Sequence, residues 1–154
     1  MSERSDADAH PVPTAADVIS QLYQFDQFQQ NAVERADSAP SSDVLTTVAA
    51  RADAAAKRDK ALAELQRRTR TDVPAQHKAA AMRAHSVDAA DRTDGPAYVR
   101  QFYATQLAEY ELTVVLIEQY LQSPDNEDIR SFAAAQLPVL LSELADTRNA
   151  LSNK

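Results

Sequence analysis

Few residues in this 154-residue chain could do chemistry, and their spacing excludes most familiar kinds. The histidines are His10, near the start, and His77 and His85, eight residues apart, which is not a zinc-binding spacing. Carboxylate-bridged metal sites in helical bundles use glutamates on facing helices together with Glu-x-x-His pairs, because side chains three apart on a helix project inward together. No Glu-x-x-His occurs. The lack of cysteine removes disulfides, thiolate zinc sites and thiol nucleophiles at once. A single glycine, Gly95, cannot build a phosphate-cradling loop. Nothing suggests the strained turn that exposes a catalytic serine. What remains is the segment Ser131 to Leu144, SFAAAQLPVLLSEL, a helical run with Pro138 inside it and one carboxylate, Glu143, near its end.

The elements that must position such a carboxylate are helices. About thirty alanines, one glycine and no tryptophan describe a chain built for helices with small side chains. Alanine buries little area per residue, so close packing is expected around no large cavity, and no cofactor is expected. The length fits one domain, assigned to residues 14–152, after a polar tail at 1–13 that contains Pro11 and Pro13 and is expected to be disordered.

Punctuation divides the domain into four long helices. Thr14 reads as an N-cap for a helix over about 15–36 whose apolar side holds Val18, Ile19, Leu22, Tyr23, Phe25, Phe28, Ala32 and Val33. After Pro40, Ser41 or Ser42 caps a second helix reaching Arg68 or Arg70, with Val44, Val48, Ala52, Ala55 and Leu62 on its stripe and Arg58 and Asp59 as polar intruders. A connection of about 25 residues is long for a bare loop, so a short helix is expected near 75–83. Pro96 fits the first turn of a third helix carrying Val99, Tyr103, Gln106, Tyr110, Val114, Ile117 and Leu121. Ser123 and Pro124 stop it. The fourth helix, over about 127–152, carries Ile129, Phe132, Ala133, Leu137, Leu140, Leu144 and Leu151 with Gln136 beside them, and Pro138 should kink it.

Helices of similar length with two short links and one long link predict an all-α fold, a ferritin-like antiparallel four-helix bundle with the short extra helix in the crossover between helices two and three. A coiled-coil dimer is disfavoured because the stripes read as wider than a strict seam. The formal charge of −7 argues against a nucleic-acid surface, with residues 51–70 as a local exception. Charge is also segregated: residues 51–70 carry seven bases against three acids, and residues 109–128 carry acids alone. Such faces can pair within the bundle or steer a protein partner or homodimer. No stretch is long and apolar enough to span a bilayer, and the residues after Met1 have no apolar signal core. The expected compartment is the periplasm if an export signal has been removed, and the cytoplasm otherwise.

Helices three and four, read together as YVRQFYATQLAEYELTVVLIEQYL, the turn SPDNED and IRSFAAAQLPVLLSELADTRNAL, resemble the bacterial, mostly exported ferritin-like family known as domain of unknown function 4142. The segment DVLTTVAARADAAAKRDKALAEL is similar to that family's second helix, so the resemblance spans about Asp17 to Leu151. The resemblance implies histidines that this chain lacks. An Asp-His pair before a Lys-Ala step falls on Lys57 and Arg58, given that step at Lys60-Ala61. The aromatic, Asp, Gln and His of the third helix fall on Phe102, Ala104, Gln106 and Tyr110. A histidine after Leu-Pro is replaced by Glu143.

Arg, Tyr and Glu bind transition ions far less well than imidazoles, so no metal is expected. The expected site is a buried polar cluster of Arg58, Gln106, Tyr110 and Glu143, with guanidinium and phenol both donating to the carboxylate. Two functions follow as expectations. One is a non-enzymatic helical-bundle protein, an interaction or envelope-associated stress protein with a degenerate ferritin-like site. The other is a ferritin-like metal-binding or redox protein using carboxylate ligands.

Overall fold

The computed structural model describes residues 12–36, 42–72 and 95–152, which form four α-helices and, among the described residues, no strand. They are α1 (Ala15–Ala36), α2 (Ser42–Thr69), α3 (Gly95–Gln122) and α4 (Glu127–Ser152). The short helix expected near 75–83 lies outside the described residues. So does the tail, apart from Val12 and Pro13.

Local chemistry accounts for the boundaries. Thr14 and Asp17 form a reciprocal cap: the Asp17 amide donates to Thr14 Oγ1 at 3.2 Å, and the Thr14 amide donates to Asp17 Oδ2 at 2.8 Å. Asn126 caps α4 by accepting the Ile129 amide at 3.1 Å. At the end of α2, the Thr71 amide returns to the Gln66 carbonyl and the Arg70 amide to the Arg67 carbonyl, a Schellman closure. Arg70 therefore sits in the left-handed region, at φ 57°.

Helix α1 packs most closely on α2, and α3 on α4, with α1 also against α3. The start of α1 lies beside the α3–α4 turn, where the Ala15 amide donates to Asp125 Oδ1 at 3.1 Å and the Tyr120 hydroxyl reaches the same oxygen at 3.1 Å. There the larger apolar cluster is built on Ile19, Leu22, Phe25, Leu62, Tyr110, Ile117, Tyr120, Ile129 and Leu140. At the other end a smaller one gathers Ala32, Val44, Val48, Tyr98, Val99 and Tyr103, with Ala150 and Leu151 against it.

Burial corrects the stripes in detail. Along α2 the buried residues are Val44, Val48, Arg51, Ala55, Arg58, Leu62 and Leu65, an alternation of four and three steps that passes through Arg51 and leaves Ala52 half-buried. This is the narrow seam of coiled-coil packing, and arginine can join it because its stem is apolar. On α1, Val33 is exposed and Tyr23 only half-buried, while Asp26 and Gln29 are fully inside. Tyr120 takes the buried place expected for Leu121, and Thr147 is buried on α4. Pro138 is exposed and lies within a continuous α4.

The left-handed conformation of Arg70 costs a β-carbon clash that glycine avoids. Arg70→Gly should raise stability by roughly 0.5–1 kcal/mol, measured by urea unfolding, whereas Arg70→Val should lower it.

Candidate functional site

Five of the buried polar residues, Asp26, Gln29, Arg51, Arg58 and Gln106, form two connected groups flanking Tyr110. The first joins α1, α2 and α3. Gln106 Oε1 accepts from Gln29 Nε2 at 3.0 Å and from Arg51 Nη1 at 2.9 Å, and all three residues are buried. The group lies between the two apolar clusters in chain position, with Ala32 and Val48 on one side and Phe25 and Leu62 on the other.

The second group joins α1, α2 and α4. Arg58 Nε donates to Asp26 Oδ1 at 2.9 Å and Oδ2 at 3.1 Å, its Nη2 lies 2.7 Å from Oδ1, and its Nη1 donates to Gln136 Oε1 at 3.1 Å. The Asp26 side chain is wholly excluded from solvent and that of Arg58 nearly so. Burial pushes the Asp26 carboxyl up to about 8, with the Arg58 guanidinium pulling it down and the neighbouring Asp59 carboxyl pushing it further up. Asp59 in turn accepts from Gln30 Nε2 at 3.0 Å.

Tyr110 stands between the groups. Its ring lies 5.1 Å from the Arg51 guanidinium carbon and meets Phe25 edge-on, 4.8 Å between centroids. Its hydroxyl donates to Glu143 Oε1 at 2.8 Å. Burial raises the phenol well above its ordinary value; Arg51 opposes this and Glu143 adds to it, so Tyr110 stays a neutral donor. The Arg58 guanidinium carbon also lies 5.6 Å from the Phe25 ring, so both buried cations rest on aromatic faces.

Of the four residues singled out in the sequence, the structure joins Tyr110 to Glu143 and gives the other two different partners. Arg58 is committed to Asp26 and Gln136 rather than to Glu143. Gln106 serves Gln29 and Arg51. The reason is charge: fully buried Asp26 offers the Arg58 guanidinium a carboxylate inside the core, where Glu143 is half-exposed. Asp26, Gln29 and Arg51 were not foreseen. Their signal was positional, since Asp26 and Gln29 follow Leu22 and Phe25 by four residues each, and Arg51 sits three after Val48 and four before Ala55.

Chemically, the buried cations of this interior are spent on neighbouring helices, while Gln29 Oε1, Gln106 Nε2 and Asp59 Oδ1 are buried with no hydrogen-bond partner among the described residues. Guanidiniums have no lone pair to offer a metal ion and repel it. Among the described residues no grouping of three or more His, Asp or Glu is placed to hold a metal.

Among the described residues, fold and site together define an all-helical arrangement of four helices with a hydrogen-bonded polar layer in its core. The sequence model described as Domain of unknown function (DUF4142) matches residues 1–150, and the chain belongs to that family. No curated protein and no solved structure matches it.

Arg58→Met should cost about 3–5 kcal/mol in chemical unfolding, because it leaves the Asp26 carboxyl buried without its cation. Arg58→Met combined with Asp26→Leu should recover most of that loss. Tyr110→Phe should cost only about 1 kcal/mol, since half-exposed Glu143 regains water.

Proposed function

We propose that this protein is a non-enzymatic, ferritin-like helical bundle whose interior site has become structural. It acts through its surface, as an interaction or envelope-associated stress protein. The observation that carries this reading is the pair of guanidiniums, Arg51 and Arg58, held in the core by Gln106, Asp26 and Gln136. A fixed positive charge occupies the place where the family resemblance implies a histidine, and its hydrogen-bonding capacity is spent on the bundle itself.

The placement of helix ends supports the ferritin-like, antiparallel arrangement. The start of α1 meets the α3–α4 turn, and the end of α1 shares a cluster with the starts of α2 and α3 and the end of α4. The surface supports an interaction role. Leu112 and Val115 on α3 and Val139 and Leu141 on α4 are exposed, and α2 carries Lys57, Lys60, Arg67 and Arg68 at its surface.

Elemental analysis of the purified protein, with melting in the presence of Fe²⁺, Mn²⁺ or Zn²⁺, should give no stoichiometric metal and no shift in Tm. Sedimentation at low and high salt should reveal charge-dependent self-association or capture of a protein partner. A stoichiometric ion that disappears in Glu143→Ala overturns the reading in favour of a carboxylate-ligated metal or redox protein.

A further inference from the structure

Building on the surface reading above, we propose that a second copy of this chain docks on the outer face of the α3–α4 pair, forming a two-fold dimer in which α3 of each copy packs across α4 of the other. The face consists of two matching stripes. On α3, Glu111, Val115 and Glu118 follow at steps of four and three, with Leu112 beside them, and on α4 Leu141, Ala145 and Arg148 repeat the same steps. All of these residues are exposed. Arg148 Nη2 donates to Glu111 Oε2 at 3.0 Å, which places both stripes on the same side of the helix pair. Their heights agree as well. The Tyr110–Glu143 bond sets the two helices level, and Leu112 and Leu141 each stand two residues from it toward the α3–α4 turn.

The core of one copy makes no use of these stripes. Its own seams run inward, through Tyr103, Gln106, Tyr110, Ile117 and Tyr120 on α3 and through Ile129, Ala133, Leu140, Leu144 and Thr147 on α4. Outside, Leu112 is 56%, Val115 49% and Leu141 40% exposed. Large apolar side chains scattered singly are ordinary, whereas these three lie together on adjoining ridges. Ala108, one turn before Leu112, and Ala145 are also exposed, and their small side chains let a facing helix come close. Val139, two residues before Leu141, points to the other flank of α4 and lies off this face.

Charge selects the occupant. The acids of the face, Glu111 and Glu118, are on α3, and the base, Arg148, is on α4. A face with acid on one helix and base on the other is complementary to itself. A two-fold axis parallel to the helices sets α3 opposite α4 of the second copy, so that Glu111 meets Arg148 of the second copy on both sides of the axis. The perpendicular two-fold in the same plane would set acid against acid. Within one copy the Glu111 and Arg148 side chains remain about half exposed, so each keeps an acceptor or a donor for a second partner.

Sedimentation equilibrium of the full chain at about 0.15 M salt tests the dimer. Wild type should dimerise reversibly, and Val115→Lys or Leu141→Lys should weaken association at least about tenfold, because each change acts twice in a two-fold interface. Val139→Lys should leave it unchanged. Glu111→Arg and Arg148→Glu should each dimerise poorly alone, and an equal mixture of the two should recover association, since opposite charges then meet only between copies. Circular dichroism of each variant checks that it is folded. The proposal is overturned if wild type stays monomeric up to about 1 mM, if Leu141→Lys associates as well as Val139→Lys, or if the mixture associates no better than its components. A monomer that binds no metal overturns the dimer and leaves the surface reading standing, whereas a stoichiometric ion overturns that reading and not the dimer.

Discussion

The guanidinium of Arg58 is the joint on which the interior depends. It holds the carboxyl of Asp26 on α1 and the amide of Gln136 on α4 while its own stem lies in the α2 seam. A charge taken out of water is costly unless paired and fully hydrogen-bonded, so the three helices are constrained to the register in which these partners meet. Sliding α2 by one turn against α1 would carry Arg58 about 5.4 Å from Asp26 and strand both groups in apolar surroundings. Few apolar contacts in an alanine-rich seam resist such a slip as sharply.

The second polar group extends the same logic to α3. Gln106 receives donors from α1 and α2 at once, so it fixes α3 against the α1–α2 pair between the two apolar clusters. Hydrophobic burial on either side supplies cohesion without direction. Hydrogen bonds supply direction. At the far end Asp125 does comparable work with fewer atoms, tying the first amide of α1 and the Tyr120 hydroxyl to the turn between α3 and α4.

Family membership and site chemistry fit together through these contacts. The chain belongs to the DUF4142 family, and at the positions where the resemblance implies histidines it carries Arg58, Tyr110 and Glu143. Each makes a hydrogen bond to another helix. Under the proposed reading, groups that could have offered lone pairs to an ion have given way to groups that bond to one another, and the outer faces carry the function.

The helices were legible in the sequence because their signals are local. The expected spans 15–36 and 127–152 match Ala15–Ala36 and Glu127–Ser152, since Thr14, Pro124 and the apolar periodicity act within a few residues of the boundaries they set. Positive φ at Arg70 was not legible, because arginine gives no compositional hint of a left-handed position. Arg58 and Gln106 were recognisable as polar residues on apolar stripes, as Asp26, Gln29 and Arg51 also were in principle. By itself, then, the sequence determined four helices and the presence of polar side chains on their inner faces. Only the tertiary structure decided that Arg58 meets Asp26, that Gln106 meets Arg51 and that Tyr110 meets Glu143. The physical reason is reach: a hydrogen bond requires its atoms within about 3 Å, and which atoms come that close is set by the register and rotation of separate helices, a property that no single segment encodes.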